Sequence, residues 1–162
     1  MFDFTKFDEL SIELSTWDSA AKFIIASTSF ESSSTVLGFE MPIPVYGNGL
    51  QVRDWIYVED HCSALEQTIK KGAYGETYLV SANNERHNID VIKSILKELN
   101  KSEKLINFVK DRPGHDVRYA IDARKITVEL GWKPKIKFDD GLKLTMSHYL
   151  KNLDYYSKKA LA

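Results

Sequence analysis

The sequence has a single cysteine, Cys62, and no long apolar run. One cysteine cannot form an intrachain disulfide, so the sequence favours a reducing compartment, the cytoplasm. The apolar stretch at residues 23–26 is far shorter than the roughly 20 residues that a membrane-spanning helix needs. Residues 1–4 lack both the basic region and the apolar core of a secretory signal. We therefore predict a soluble cytoplasmic protein with no membrane contact.

The sequence also lacks an excess of basic residues. Its 22 lysines and arginines face 23 acidic residues, for a formal net charge of −1 and a pI near 6.4. Proteins that bind nucleic acid or a membrane surface through charge carry a basic excess, so this balance argues against both kinds of partner. Residues 1–40 hold seven of the acids but only two of the bases. The rest of the chain is therefore slightly basic, which suits an anionic small ligand.

The eight glycines form no dinucleotide-binding pattern. Dinucleotides bind where Gly-x-Gly-x-x-Gly brings the pyrophosphate to a helix N-terminus. Neither that pattern nor Gly-x-x-Gly-x-x-Gly occurs, and Gly47-Asn48-Gly49 is followed by Val52 where the third glycine would stand. His61, His87 and His148 have no spacing with Cys, Asp or Glu that is typical of metal ligands. The sequence predicts neither a dinucleotide-binding turn nor a metal site.

Composition changes near Met41. Before it, a short helix is predicted at residues 17–26, and seven of the nine residues in 27–35 are serine or threonine, which is typical of a linker. After it, turn signals and apolar periodicity become regular. We therefore divide the chain into an unassigned N-terminal segment with a Ser/Thr-rich linker, 1–40, one folded lobe, 41–153, and a polar tail, 154–162.

The lobe is predicted to contain short strands and amphipathic helices. In order, these are strand 44–46, strand 53–57, a helix from Glu59 to Lys71, strand 77–80, a helix capped by Asn88, strand 105–109, a helix capped by Asp122 and a final helix after Asp140. Cys62 falls in the first helix, where a lone cysteine is expected to fill the core. This mixture predicts an α/β or α+β lobe, and not a complete Rossmann domain.

The most informative stretch, residues 111–122, reads Asp-Arg-Pro-Gly-His-Asp-Val-Arg-Tyr-Ala-Ile-Asp. Arg112, His115 and Arg118 surround a turn at Pro113-Gly114. Two guanidiniums supply rigid, permanently charged donors for phosphate oxygens, and the turn directs them. The pattern is typical of a loop that binds a diphosphate, and the alternative is a solvated charged loop.

A second stretch, residues 44–61, reads Pro-Val-Tyr-Gly-Asn-Gly-Leu-Gln-Val-Arg-Asp-Trp-Ile-Tyr-Val-Glu-Asp-His. In this order and at this separation, the two stretches resemble the C-terminal part of the dTDP-glucose 4,6-dehydratase family, NAD-dependent lyases of the extended short-chain dehydrogenase/reductase superfamily. Residues 84–85, 88–91 and 129–134 fit as well, and the stretch at 111–122 separates this family from its sister epimerases and decarboxylases. The resemblance implies a partial protein of the NAD(P)-binding Rossmann superfamily that comprises mainly the C-terminal, nucleotide-sugar-binding lobe, with the complete Rossmann domain absent.

The resemblance also implies which residues bind the nucleotide sugar. Pro44, Val45 and Tyr46 would hold the nucleoside, Arg53 the diphosphate, and Asn84 would make a polar contact. The second binding segment would comprise Asp111, Arg112, Pro113, Gly114 and His115, with Arg112 on phosphate and His115 as a hydrogen-bonding group rather than a base. Taken alone, Tyr46 could be a core aromatic and Arg53 a surface ion-pair former. Ser81-Ala82 stand where the family has Gly-Gly, so their side chains could narrow the approach of a ligand.

The family's hydride and elimination chemistry is not predicted for this chain. That chemistry needs an NAD-binding turn, a Thr-Asp-Glu triplet and a Tyr-x-x-x-Lys pair. The triplet is absent, and only Tyr155 and Lys159, in the polar tail, have the spacing of the pair. We therefore predict no catalytic residue, no cofactor-binding residue and no metal ligand. NAD is the cofactor of the intact family, and we expect none to bind this chain alone.

The leading hypothesis is a truncated dTDP-glucose 4,6-dehydratase-like protein of deoxysugar biosynthesis that is inactive alone. Its ligand would be a dTDP-sugar or another nucleoside diphosphate, and a partner would be a chain that supplies the NAD lobe or a paralogue. The alternatives are a non-catalytic nucleotide-sugar-binding or docking module, a non-functional fragment, and a relative of UDP-sugar epimerases or decarboxylases.

Overall fold

A computed structural model describes residues 42–152 as a mixed α/β structure. In chain order its elements are β1 (Ile43–Tyr46), β2 (Val52–Asp54), α1 (Val58–Lys71), β3 (Glu85–His87), α2 (Asn88–Glu98), a 3-10 helix (Glu103–Leu105), β4 (Ile106–Val109), α3 (Arg124–Leu130) and α4 (Phe138–Lys151). The predicted α/β class is confirmed.

The strands form two small sheets. β1 pairs with β4 in parallel, with Tyr46 opposite Val109, and β2 pairs with β3 in an antiparallel ladder. On its other side, β2 bonds to the segment after the Pro-Gly turn. The Val52 N–H donates to the Val117 carbonyl at 2.8 Å, and the Tyr119 N–H donates to the Val52 carbonyl at 3.0 Å. This pairing holds the residue 111–119 loop beside β2.

Apolar side chains form two buried clusters. One joins β1 to α2 through Ile43, Val45, Ile92 and Leu96, and the other comprises Ala64, Tyr78, Ala123, Ile126, Leu130 and Trp132. Val91, Ile92 and Leu96 recur on one side of α2, as the predicted apolar face requires. Burying a side chain such as Leu96 contributes about 1.5 to 3 kcal/mol. The first cluster therefore fixes β1 against α2.

The helix ends follow the charge and glycine signals of the sequence. α1 carries Glu59 and Asp60 in its first turn and Lys70 and Lys71 in its last, an order that the helix dipole favours. α3 ends at Gly131, which adopts φ 71° and so needs the left-handed freedom of glycine. These predicted ends are confirmed.

The polar residues expected to cap α2 and α3 have different roles. Ala123 occupies the cap position of α3, so the predicted cap at Asp122 is wrong by one residue, although the Asp122 carboxylate accepts from the N–H of Arg124, the first helical residue, at 2.9 Å. The predicted cap of α2 is also wrong by one residue. His87 occupies the cap position, Asn88 is the first helical residue, and its N–H donates to the Gln51 carbonyl at 3.0 Å.

The predicted strand at residues 77–80 is wrong. This segment joins no ladder, and its alternating apolar side chains serve the core. The Tyr78 ring is buried there, and its hydroxyl accepts from the Ala73 N–H and donates to Glu129. The β-type side chains of this segment therefore pack in the core, and its backbone does not pair with a strand.

The other expectations have different outcomes. Cys62 is exposed, so the expectation that it fills the core is wrong. The predicted helix at 17–26, the linker at 27–35 and the Tyr155–Lys159 pair lie outside the described residues. Within 42–152, no helix is long and apolar enough to span a membrane, and no group of three His, Cys, Asp or Glu side chains could hold a metal ion.

Candidate functional site

Arg53 lies at the centre of β2 and is held by the loop at 111–119. Its Nη1 donates to the Val52 carbonyl at 2.7 Å, and its Nη2 donates to the Asp116 carbonyl at 3.0 Å. Its guanidinium carbon lies 4.7 Å from the centroid of the Tyr119 ring, within the range of a cation–π contact. These contacts fix the guanidinium and leave donors free. Arg53 is therefore not the surface ion-pair former that the sequence left open.

Arg112 lies close enough to Arg53 for the two charges to interact. Burial lowers the pKa of Arg53, and repulsion from Arg112 lowers it further, against the opposing effects of Tyr119 and Asp116. Each of the other four arginines of the chain makes a side-chain hydrogen bond. Within residues 42–152, the Arg112 guanidinium makes none. Two neighbouring guanidiniums, one of them without a side-chain hydrogen bond in this part of the chain, are groups that can bind an anion.

Asp116 and Tyr119 support Arg53, and the sequence analysis missed both. The Tyr119 hydroxyl donates to Asp116 Oδ2 at 2.5 Å, while the ring lies under the guanidinium. The attraction between this hydroxyl proton and the carboxylate raises the pKa of Tyr119. The signal in the sequence was the aromatic residue one position after Arg118, but only the pairing with β2 brings it under Arg53.

Asp111 connects the two ends of the site. Its Oδ1 accepts from His115 Nδ1 at 2.6 Å and from the Arg112 N–H at 2.9 Å, and its Oδ2 accepts from Gln51 Nε2 at 3.1 Å. The hydrogen bond from His115 is the largest of the effects that lower the pKa of Asp111. Only 9% of the His115 side chain is exposed. Gln51, which the sequence analysis did not select, is therefore part of the same cluster.

The turn between β1 and β2 contacts this cluster through Gly47. A Cβ atom on Gly47 would lie 2.6 Å from Asp111 Oδ2, so no larger residue allows the carboxylate to come this close. Gly47 also adopts φ 62°, and its N–H donates to the Val109 carbonyl at 2.9 Å. The end of β1, where Tyr46 lies, is thus next to Asp111.

The three residues expected at the nucleoside differ in exposure. Tyr46 is 50% exposed, so it is not a core aromatic, and its ring is accessible to a ligand. Pro44 is half-buried, and Val45 is only 2% exposed within the cluster against α2. Of the three, Tyr46 has the side chain that can contact a base.

Asn84 is positioned by Asp54. The Asn84 N–H donates to Asp54 Oδ1 at 2.7 Å, and its side-chain oxygen accepts from Arg86 Nε at 3.3 Å. The Ser81 hydroxyl donates to Asp54 Oδ2, and Ser81 is buried. Its side chain therefore points into this network, and the expectation that it narrows the approach of a ligand is wrong for Ser81.

Pro113 and Gly114 form the exposed tip of the loop. Gly114 adopts φ 68°, and a Cβ atom there would meet no other atom within 4 Å. This glycine serves the backbone conformation of the turn and not a close approach. The structure thus brings Arg53, Arg112 and the Asp111–His115 pair together on one loop and one strand.

The glycines of the turn at 47–49 do not fit a dinucleotide. A Cβ atom on Gly49 would lie 2.8 Å from Val45 Cγ1, so this glycine is required by packing between β1 and α2. The turn leads into strand β2 and not into a helix, whose N-terminus would receive a pyrophosphate. Residues 42–152 therefore provide no NAD-binding turn of this kind.

Comparison with known proteins confirms the resemblance seen in the sequence. The sequence profile described as GDP-mannose 4,6 dehydratase matches residues 22–145, so it begins inside the segment that the sequence analysis left unassigned. The dTDP-glucose 4,6-dehydratase of Escherichia coli is 48% identical over 127 residues, which cover 72% of this chain and 35% of that enzyme. This chain thus spans about a third of the length of such relatives.

Solved structures share the fold. A dTDP-glucose 4,6-dehydratase from Bacillus anthracis, solved in complex with NAD, is 43% identical with a TM-score of 0.70, over 76% of this chain and 39% of that one. The UDP-glucuronic acid 4-epimerase from Bacillus cereus, in complex with UDP-glucuronic acid and NAD, is 26% identical with a TM-score of 0.66, over 77% of this chain and 40% of that one. The related enzymes therefore bind NAD, and the epimerase also binds a nucleotide sugar.

Proposed function

This chain belongs to the GDP-mannose 4,6-dehydratase family, and we propose that it provides the nucleotide-sugar-binding part of a dTDP-glucose 4,6-dehydratase. The observation that carries this proposal is the pair of guanidiniums: Arg53 is fixed on β2, and Arg112 lies beside it without a side-chain hydrogen bond to any of the residues 42–152. Such a pair favours the two adjacent negative charges of a diphosphate. We assign the binding lobe to residues 41–153.

The remaining groups flank the proposed diphosphate position. Tyr46 offers an exposed ring at the end of β1, on which a nucleobase could stack. Asn84 and His115 offer polar groups, the first tied to Asp54 and the second to Asp111. Because these residues cover only one side of a ligand, we expect a dissociation constant from millimolar to high micromolar. This corresponds to a binding free energy of about 4 to 6 kcal/mol.

The complete dehydration needs more than these residues supply. The related Bacillus anthracis enzyme holds NAD, whereas the turn at 47–49 is shaped by packing and does not fit a dinucleotide. We therefore assign ligand binding, and no hydride or proton transfer, to residues 42–152. An NAD-binding lobe is the complement that this assignment implies, and without it we expect no turnover of dTDP-glucose.

Ligand-observed NMR with the full 162-residue chain tests the binding proposal. We expect dTDP to bind, and Arg53→Gln and Arg112→Gln each to weaken binding at least fivefold, since each removes a charged hydrogen bond to phosphate. Arg124→Gln is the matched control, because Arg124 is exposed and paired with Asp122. Equal weakening by all three variants, or by none, would refute the assignment.

A second candidate is binding of a UDP-sugar. The likeness to the Bacillus cereus UDP-glucuronic acid 4-epimerase favours it. The 26% sequence identity to that epimerase is, however, well below the 48% identity to the Escherichia coli dehydratase. Competition between dTDP and UDP separates the two candidates. We expect dTDP to displace UDP at equal concentration, and tighter binding of UDP would favour the epimerase-like candidate.

A further inference from the structure

Three side chains form a hydrogen-bonded series that ends at the imidazole of His115. Gln51 Nε2 donates to Asp111 Oδ2 at 3.1 Å, and His115 Nδ1 bonds Asp111 Oδ1 at 2.6 Å. The other ring nitrogen, Nε2, makes no hydrogen bond to any of the residues 42–152. The imidazole therefore presents Nε2 as the nitrogen left for a ligand.

The carboxylate decides which nitrogen carries the proton. An ionised carboxylate accepts hydrogen bonds and cannot donate them, so His115 Nδ1 must be the donor in this pair. In a neutral imidazole with a proton on Nδ1, Nε2 carries a lone pair and can only accept. A fully ionised phosphate also only accepts. Neutral His115 thus matches a hydroxyl and not a phosphate.

Gln51 and Gly47 hold the carboxylate in place. Gln51 is 7% exposed, and its NH₂ group must face Asp111, because two acceptor oxygens could not bond to each other. Gly47 lets the carboxylate lie against the turn, where a Cβ atom would come within 2.6 Å of Oδ2. The Arg112 N–H bonds Oδ1. Asp111 is therefore fixed from three sides, and the imidazole it binds has one orientation.

We propose that Gln51 and Asp111 are positioning residues that hold His115 with its proton on Nδ1, so that Nε2 accepts a hydrogen bond from a sugar hydroxyl next to the bound diphosphate. This inference rests on the proposed function, since it takes the diphosphate to lie at Arg53 and Arg112. It gives the arginines and His115 different roles in binding. The arginines bind phosphate charge, and His115 recognises a hydroxyl group of either the deoxyribose or the hexose.

The first test needs no ligand. In the full chain labelled with ¹⁵N-histidine, ring-nitrogen shifts are read at a pH where the rings are neutral, and His115→Phe identifies the His115 signals. We expect a protonated Nδ1 and a bare Nε2. Asp111→Asn should give a mixture of both tautomers, because an amide can donate as well as accept, and Gln51→Leu should shift the ratio in the same direction.

His87 and Asp90 are the matched internal control. They form the same kind of pair at 3.4 Å, but both side chains are about half exposed, and within residues 42–152 no third side chain bonds the Asp90 carboxylate. We expect His87 to show a tautomer mixture that Asp90→Asn leaves nearly unchanged. A wild-type His115 with its proton on Nε2, or a His115 signal unaffected by Asp111→Asn, would overturn the proposal.

The second test uses three diphosphates that differ in hydroxyl groups: dTDP-glucose, dTDP and 3′-deoxy-dTDP. If the deoxyribose hydroxyl is recognised, His115→Phe should weaken dTDP about three- to tenfold and leave 3′-deoxy-dTDP unchanged. If the hexose is recognised, only dTDP-glucose should weaken. Equal weakening of all three, or of none, contradicts the hydroxyl role. Failure of every ligand to bind the wild-type chain would instead refute the proposed function. The ring-nitrogen spectrum would still test whether Gln51 and Asp111 hold the proton of His115 on Nδ1.

Discussion

The guanidinium of Arg53 lies over the ring of Tyr119, with 4.7 Å between its central carbon and the ring centroid. The two residues come from different parts of the chain and meet because Tyr119 pairs with Val52 through their backbones. A stacked guanidinium keeps its edge free for phosphate oxygens. Tyr119 is therefore a support for Arg53 in the proposed diphosphate site.

Replacing Tyr119 with leucine should weaken dTDP binding about two- to fivefold, the size of an exposed cation–π contact. Tyr119→Phe keeps the ring and loses only the hydrogen bond to Asp116, so we expect a smaller effect. Titration of each variant with dTDP measures the difference. A loss for phenylalanine as large as that for leucine would show that the hydroxyl, and not the ring, supports Arg53.

Ser81→Ala should destabilise the protein by about 1.5 to 3 kcal/mol. The variant removes a buried hydrogen bond to the Asp54 carboxylate, and hydrogen bonds to charged groups contribute about this much. Urea unfolding monitored by circular dichroism measures the change. Ser63→Ala, which loses hydrogen bonds that involve no charge, is the control and should cost less.

The alternative for Ser81 is the role expected from its sequence position, a side chain that restricts the ligand. In that case Ser81→Ala would strengthen dTDP binding and leave the urea midpoint unchanged. The structure predicts the opposite result: Ser81→Ala lowers the urea midpoint and does not strengthen dTDP binding.

Stability should fall as the pH drops below 6.5, with His61 as one cause. Burial lowers the pKa of His61 from its ordinary value of 6.5, so the unfolded chain binds a proton more readily than the folded one. The neutral buried ring contributes stability above pH 6.5 that is lost as the pH falls towards the lower folded pKa.

The pH dependence of the urea midpoint checks this prediction. His61→Gln should remove part of the slope just below pH 6.5. A wild-type midpoint that rises as the pH falls through this range would contradict the sign of the His61 effect.

The sequence predicted the helices of the lobe, because they depend on local patterns. The apolar spacing of Val91, Ile92 and Leu96 lies within α2, and the charge order of α1 lies within α1 itself. The β-type composition of residues 77–80 failed as a signal, since the Tyr78 ring fills the core between α1 and α3.

The supporting residues of the site could not be predicted in the same way. Gln51 bonds Asp111 across 60 positions of sequence, and Tyr119 reaches Arg53 only through the pairing of its loop with β2. Neither contact leaves a periodic or local signal. Tertiary structure is therefore needed to find the residues that orient the binding groups.

The most direct test of the central claim is the response of the arginine side chains to dTDP. All five arginines lie within 42–152, and their Nε–H signals can be followed in the ¹⁵N-labelled full chain during a titration. We expect the Arg53 and Arg112 signals to shift with one shared dissociation constant, while the paired Arg118 and Arg124 signals stay in place. Shifts at Arg118 or Arg124 without any at Arg53 and Arg112 would contradict the account.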